Sequence, residues 1–236
     1  MRLHRFYINL PLEHSRESIK DERLIHQWRD VFRYNVGSEV ILFDGSGNEY
    51  DCTIEKLTNR EAEVRLVSER KGIMPEKEIV LCQSLIKKDK MEWVVEKATE
   101  LGVSKIVPIV SERSEKKGFN LERARKIAIE AAEQSGRADV PVIESSKHLV
   151  DSIKDCEGEK IVFDPSGELI QDSRFMNHES STLNPKSIFV GPEGGWTPQE
   201  IERFKNLNIE IFSLGKLTLR AETAAIVALT ISKLPG

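Results

Sequence analysis

The sequence predicts an α/β protein in two parts, a mostly β segment over residues 1–72 and an α/β segment over residues 73–236. Short alternating or β-branched runs around one candidate helix fill the first part. After residues 72–75, short apolar strands alternate with amphipathic helices, which is typical of βαβ units and a mainly parallel sheet. Of the 236 residues 39% are hydrophobic and 31% charged, a composition that supports a packed core and excludes wholesale disorder.

The first part is predicted to be a small β-barrel with one helix. Asp21 is the expected N-cap of that helix, whose apolar positions, Trp28 among them, recur at helical spacing. The turn at residues 44–48, Asp-Gly-Ser-Gly-Asn, predicts a hairpin. The strand candidates are residues 3–10, 39–43, 49–57 and 61–68.

The second part alternates strands and helices. One helix is predicted along residues 91–101, and a second is capped by Asn120 and stopped by Gly136. A third begins at Thr197, where Pro198 and Glu200 complete a capping box. The strand candidates are residues 79–85, 106–110, 160–163, 187–190 and 210–214, and the polar residues 171–185 are predicted to be a loop.

The charge balance excludes a protein coated in positive charge. Lys and Arg number 35 against 39 Asp and Glu, a net charge of −4. Residues 1–33 nevertheless carry a net charge of +2, which leaves this segment free to face a polyanion such as RNA. A solvated surface of mixed charge is the more common interpretation of such a segment.

Cysteine, histidine and hydropathy patterns indicate a soluble cytoplasmic protein without a metal. The three cysteines are widely spaced, which argues against a disulfide framework, and the five histidines form no HxxxH or HExxH pair. No apolar run approaches the ~20 residues needed to cross a bilayer, and no signal-peptide core follows Met1.

The first candidate site is the loop Gly-Pro-Glu-Gly-Gly at residues 191–195, between a buried strand and the helix at Thr197. Its glycines let the backbone approach a ligand closely, and α/β proteins bind ligands at such strand-to-helix loops. A tight turn that needs glycine would explain the same residues. The loop matches neither the P-loop nor the GxGxxG pattern, which disfavours a kinase or a Rossmann dehydrogenase.

A second loop, at residues 214–224, also leaves a strand and enters a helix, so the two loops are expected to frame one pocket. Arg220 near the helix start opposes the helix dipole, which favours a ligand or partner there, although a surface salt bridge is the alternative. A third candidate is Arg137, which could hold a phosphate or a base; complementing the charge of a helix end is its more common role.

Four blocks in this order resemble the RsmE family of ribosomal RNA small subunit methyltransferases. They are residues 96–103 (EKATELGV), 130–137 (EAAEQSGR), 191–195 (GPEGG) and 214–224 (LGKLTLRAETA). The start, HRFY at residues 4–7, and FDGSG at residues 43–47 are similar to the family's N-terminal domain, so the resemblance covers nearly the whole chain. Lys216 replaces a proline and Ala221 a threonine of the family pattern, so a looser turn and a lost hydroxyl are expected.

This resemblance implies an N-terminal PUA-like β-barrel that binds RNA, over residues 1–72, and a SPOUT methyltransferase domain with a C-terminal trefoil knot, over residues 73–236. It implies a homodimer with active sites at the subunit interface and S-adenosylmethionine as cofactor. The reaction implied is methylation of N3 of a uridine in 16S rRNA.

The resemblance also implies roles for single residues. Arg220 would orient or polarise the uridine, and Glu222 or Glu193 could accept its proton unless water does. Arg137, from its own or the other subunit, would hold a phosphate or the flipped base. The residues implied to hold the cofactor are Phe163, Gly191, Glu193, Gly194, Gly195, Leu214, Gly215, Leu217 and Leu219. Those implied to contact RNA are Arg2, His4, Arg5 and Arg137.

Two other functions stay open from the sequence alone. One is a non-catalytic RNA-binding or ribosome assembly factor that kept the fold, and a rise in melting temperature with S-adenosylmethionine would argue against it. The other is an enzyme acting on a free nucleotide, which would not need the extra N-terminal domain.

Overall fold

A computed structural model describes residues 3–9, 12, 14–115, 118–170 and 187–233. The chain divides into two compact units: residues 1–74 with 132–140, and residues 75–131 with 141–236. Arg2 and the predicted loop at residues 171–185 lie outside the described residues.

The first unit contains a five-stranded sheet in the order β1-β3-β4-β5-β2. Strands β1 and β3 are parallel and the other neighbours antiparallel. The predicted barrel is an open half-barrel in the described residues, since β1 and β2 stand at the two edges. The strands are β1 (Arg5–Tyr7), β2 (Arg16–Ile19), β3 (Glu39–Phe43), β4 (Asn48–Leu57) and β5 (Ala62–Lys71).

One helix covers the apolar face of this sheet. Helix α1 (Glu22–His26) continues into a π-helical turn at Gln27–Val31. Asp21 caps it as predicted, because its Oδ1 accepts hydrogen bonds from the backbone N–H groups of Arg23 (2.8 Å) and Leu24 (3.2 Å). Trp28 from the π-helical turn is fully buried among the apolar side chains of the sheet.

The second unit contains the predicted parallel sheet, with seven strands in the order β12-β10-β11-β6-β7-β8 and β9 paired to β7. Every pairing in it is parallel. The strands are β6 (Val80–Ser84), β7 (Lys105–Val110), β8 (Val142–Ile143), β9 (Lys147–His148), β10 (Lys160–Leu169), β11 (Ser187–Val190) and β12 (Glu210–Ser213).

The predicted helix starts are confirmed by the hydrogen bonds at the caps. Thr197 Oγ1 accepts from the Glu200 N–H (3.2 Å), and the Glu200 carboxylate accepts from the Thr197 N–H (2.8 Å), which completes the capping box. Asn120 Oδ1 accepts from the Arg123 N–H (2.9 Å). The helices are α2 (Lys88–Glu100), α3 (Leu121–Ser135), α4 (Leu149–Asp155), α5 (Pro198–Asn206) and α6 (Ala221–Lys233).

The parallel sheet decides where a site can form. Because the strands run in one direction, their carboxyl ends share one edge, and the loops after β7, β11 and β12 leave from it. No described helix is long and apolar enough to span a bilayer.

Candidate active site

A pocket of ≈ 1080 Å³ opens at the carboxyl edge of the parallel sheet. Ligand pockets commonly measure about 300–1,000 Å³, so this one has room for a ligand of nucleoside size or larger. Both glycine-containing loops line it, as does the first turn of α2. The sequence-predicted residues that the structure brings together here are Phe163, Gly191, Glu193, Gly194, Gly195, Leu214, Gly215, Leu217, Leu219, Arg220 and Glu222.

The ring of Trp196 fixes the shape of the first loop. A Cβ at Gly191 would lie 3.2 Å from the ring atoms Cε2 and Nε1, so only glycine fits there without displacing the indole. The indole N–H donates to the Phe163 carbonyl (3.3 Å), a hydrogen bond that holds this loop against β10. On the other side, Gln83 Nε2 of β6 donates to the Gly191 carbonyl (3.3 Å).

Arg113, which follows β7, supports the same loop from a third strand. Its Nη1 donates to the carbonyls of Gly194 (2.9 Å) and Trp196 (3.4 Å). Sequence reasoning missed Arg113 and Trp196. The only signal was that Arg113 follows a buried strand, where loops at the carboxyl edge begin.

The second loop presents backbone and an apolar side chain to the pocket. Gly215 has a φ of +143°, a value that other residues rarely adopt, and a Cβ there would meet open space. The Ser213 hydroxyl donates to the Gly215 carbonyl (3.1 Å) and so steadies this turn, while Lys216 at the family's proline position does not line the pocket. Leu217 is 82% exposed at the pocket, an apolar surface suited to a flat, weakly polar ring.

An ion pair joins the first turns of α2 and α6 at the pocket. Lys90 Nζ donates to Glu222 Oε1, and the side chains are 26% and 12% exposed. Burial acts to raise the pKa of Glu222, but the hydrogen bond from Lys90, the helix-start N–H and the charges of Lys90 and Arg220 leave that pKa below its usual value. Glu222 Oε2 is buried and has no hydrogen-bond partner among the described residues.

Lys90 was also missed from the sequence. It stands in the run Lys87-Lys88-Asp89-Lys90, which is typical of a solvated helix start, and nothing local distinguishes it from its neighbours.

Two arginines predicted to contact RNA are held in buried ion pairs of the first unit. Arg5 Nη2 lies 2.5 Å from Glu49 Oε1, with exposed fractions of 10% and 5%, and it donates to the Arg137 carbonyl (3.2 Å). The Arg137 guanidinium, 5% exposed, forms a bidentate pair with Asp139 (2.6 and 2.8 Å). Arg137 is not among the residues that line the pocket.

His4 is different, because its side chain is exposed. Its Nδ1 lies 2.6 Å from the Tyr34 hydroxyl, and its ring packs 4.4 Å from the centroid of Phe32. Among the described residues, no three His, Cys, Asp or Glu side chains are placed to hold a metal ion.

Comparison with known proteins identifies the family. Residues 74–233 match the family model described as RNA methyltransferase domain, and residues 29–67 match RNA methyltransferase PUA domain. The chain is 32% identical over 239 residues to ribosomal RNA small subunit methyltransferase E of Rickettsia conorii, which covers 100% of this chain and 97% of that protein. The chain belongs to the RsmE family. The corresponding Bacillus subtilis protein is 30% identical, covering 97% of this chain and 95% of its own.

Solved structures agree with the membership in the RsmE family. Ribosomal RNA small subunit methyltransferase E of Neisseria gonorrhoeae, bound to S-adenosylmethionine, has a TM-score of 0.85 and 29% identity, covering 97% of this chain and 96% of that one. A putative methyltransferase of Legionella pneumophila, also in complex with S-adenosylmethionine, has a TM-score of 0.88 and 26% identity, covering 99% and 98%. The resemblance seen in the sequence is confirmed.

Proposed function

We propose that this protein is an S-adenosylmethionine-dependent methyltransferase that methylates N3 of a uridine in the 16S rRNA of the small ribosomal subunit. The observation that carries the proposal is the convergence of two glycine-containing loops on one ≈ 1080 Å³ pocket. It is supported by the RsmE family relatives and by the S-adenosylmethionine bound to the Neisseria and Legionella proteins.

The pocket fits this cofactor in size and chemistry. Gly191 makes room for the Trp196 ring that shapes the loop, Gly215 leaves open space where a side chain would stand, and Leu217 offers an exposed apolar surface. When bound, S-adenosylmethionine supplies a methyl group on a positively charged sulfur. The residues proposed to hold it are Phe163, Gly191, Glu193, Gly194, Gly195, Leu214, Gly215, Leu217 and Leu219.

Arg220 is the residue proposed to orient the uridine. It is exposed at the pocket just before α6, where its guanidinium can donate to a uracil carbonyl and stabilise charge that develops there. Methylation also requires loss of the N3 proton, for which Glu222 and Glu193 are the candidate acceptors within the pocket. The lowered pKa of Glu222 makes it a weak base at neutral pH.

We propose that residues 1–72 bind RNA and that residues 73–236 carry out methylation. The exposed ring of His4 supports a contact with RNA, and Arg2 is proposed beside it. The buried pairs of Arg5 and Arg137 favour a supporting role in this chain, so a contact of either with RNA requires that its carboxylate be displaced.

A homodimer, a C-terminal trefoil knot and a cytoplasmic location complete the proposal. They are supported by the resemblance to the RsmE family in residues 191–195 and 214–224. Sedimentation velocity on the purified chain tests the dimer, and a monomer at micromolar concentration would contradict it.

Mass spectrometry of 16S rRNA from cells with and without the gene tests the function. We expect one methylated uridine to be lost in its absence, and to return when purified protein and S-adenosylmethionine are added to the deficient subunits. An unchanged rRNA would refute the proposal. A fully modified rRNA obtained with the Arg220→Ala variant would remove Arg220 from the mechanism.

A further inference from the structure

In the part of the chain that the structure describes, four cationic side chains line the pocket, and they are held in different ways. Arg113 donates to the carbonyls of the first loop, and Lys87 and Arg220 are exposed. Lys90 is half-buried and is fixed by the nearly buried carboxylate of Glu222. The ion pair with Glu222 distinguishes Lys90 from Arg113, Lys87 and Arg220, and it offsets the unfavourable helix dipole at the start of α2.

The pair leaves donors of Lys90 available. An ammonium group has three N–H donors, and Glu222 Oε1 takes one of them. The side chain of Lys90 remains 26% exposed where it lines the pocket, so its remaining donors can reach a bound base. Lys90 and Arg220 are the cations that act on Glu222, within a lining that also includes the carboxylates of Glu115, Asp164 and Glu193.

We propose that Lys90 is a catalytic residue that stabilises negative charge on the target uracil, and that Glu222 is a positioning residue for Lys90. This inference rests on the proposed function. Methylation replaces the N3 proton: the proton leaves to solvent water, the N3 electron pair forms the N–C bond, and the donor sulfur keeps the electrons of the broken C–S bond. Charge that develops on the uracil is shared with its carbonyl oxygens, which the Lys90 ammonium can contact.

Three properties of Glu222 favour positioning over proton transfer. One oxygen is occupied by Lys90, and the other is buried away from solvent with no hydrogen-bond partner in the described part of the chain. The carboxylate is also stabilised in its ionised form by two nearby cations, which weakens it as a base. A buried carboxylate that stays ionised is well suited to fix an ammonium group in one place.

The experiment is single-turnover methylation of small ribosomal subunits from cells that lack the protein, over neutral to alkaline pH at saturating S-adenosylmethionine. We expect Lys90→Met to be slower by about 10²–10³-fold at neutral pH, the usual effect of removing one preorganised donor. Its deficit should shrink as pH rises, since alkali ionises N3 without help. The wild-type rate should level off at a pH about 1 to 3 units below that of Lys90→Met, because a nearby positive charge favours the ionised form of N3.

Matched variants separate this role from a structural one. Lys90→Arg keeps the charge and should retain most of the activity, and Lys88→Met, an exposed lysine of the same helix turn that does not line the pocket, should behave as wild type. Glu222→Gln should lose no more than Lys90→Met, and the double variant should equal Lys90→Met, because both changes disable one device. Calorimetry should give each variant the S-adenosylmethionine affinity of wild type.

Two results would overturn the inference. Lys90 is structural if the Lys90→Met deficit is the same at every pH. It is also structural if Lys90→Met loses its melting transition and Lys90→Arg is equally inactive. A Glu222→Gln loss far larger than that of Lys90→Met makes Glu222 the proton acceptor. If neither the wild-type chain nor the Lys88→Met control methylates any subunit, the proposed function itself is overturned.

Discussion

Substitution of Gly191 by alanine tests the geometry of the first loop most directly. The new methyl carbon would stand 3.2 Å from two atoms of the Trp196 ring and 3.4 Å from a third, closer than ordinary van der Waals contact. The ring cannot yield easily, because it is buried, packs edge-on against Phe204 at 5.2 Å between centroids, and donates to the Phe163 carbonyl.

The expected cost follows from this crowding. Overpacking a filled site costs about 1–3 kcal/mol. If the ring and loop hold their places, the second unit loses that free energy of unfolding, or about 2–4 °C of melting temperature per kcal/mol. If the loop shifts instead, binding must restore it, and S-adenosylmethionine affinity falls by about 5–150-fold, which is the same energy.

Melting curves and calorimetry on Gly191→Ala together measure both parts of this cost. Gly118→Ala is the matched control, because a Cβ at that exposed glycine meets nothing within 4 Å. A Gly191→Ala variant that melts and binds S-adenosylmethionine as wild type does would show that the indole does not confine the loop, and the account of this pocket wall would be wrong.

Three further outcomes are expected. Arg220→Ala should keep S-adenosylmethionine affinity by calorimetry while methylation falls by orders of magnitude, and unchanged turnover would exclude its role. Because the pKa of Glu222 is lowered in the folded protein, its ionised form stabilises the fold above the unfolded pKa of about 4.3, and that contribution is lost as the pH falls through the folded pKa. Urea titrations should therefore show that the stability advantage of wild type over Glu222→Gln disappears in acid. A difference that stays constant with pH would contradict this. Arg5→Ala should cost about 1–3 kcal/mol in urea unfolding, since Glu49 is nearly buried yet keeps a second guanidinium partner, while Arg16→Ala, at an exposed ion pair, should cost less than about 1 kcal/mol; equal costs would refute the distinction.

The sequence predicted those parts of the fold whose signals are local. The capping box at Thr197, the cap at Asp21 and the strand at residues 187–190 are where they were expected, because each is specified by a few adjacent residues. Strand β2 was missed, since Arg-Glu-Ser-Ile has no apolar alternation and pairs with β5 only through tertiary contact. Helix α4 was missed because seven residues give too short a periodic pattern.

The pocket was predictable for a topological reason. Parallel strands share one carboxyl edge, so two loops that each leave a strand and enter a helix were expected to meet, although about 20 residues separate them. The supports of those loops were not predictable. Gln83, Arg113 and Trp196 act through hydrogen bonds to backbone carbonyls of other segments, and no local pattern encodes such a partner.

The roles of cations show where sequence reasoning reaches its physical limit. The carboxylate that pairs with a cation decides what the cation does. Glu49 is 44 residues along the chain from Arg5, and Glu222 is 132 residues from Lys90. In the first unit, Arg5 Nη2 serves both Glu49 and the Arg137 carbonyl, and Glu49 has a second guanidinium partner. Arg5 Nε is buried without a hydrogen-bond partner among the described residues, and the low exposure of both side chains leaves little of this pair for a ligand. At the pocket the balance is different, because the Lys90 side chain is 26% exposed and has donors beyond the one it gives to Glu222. What separates the two pairs is access: the Arg5 pair is almost fully buried, whereas the Lys90 ammonium is partly exposed at a cavity and has donors left for a substrate.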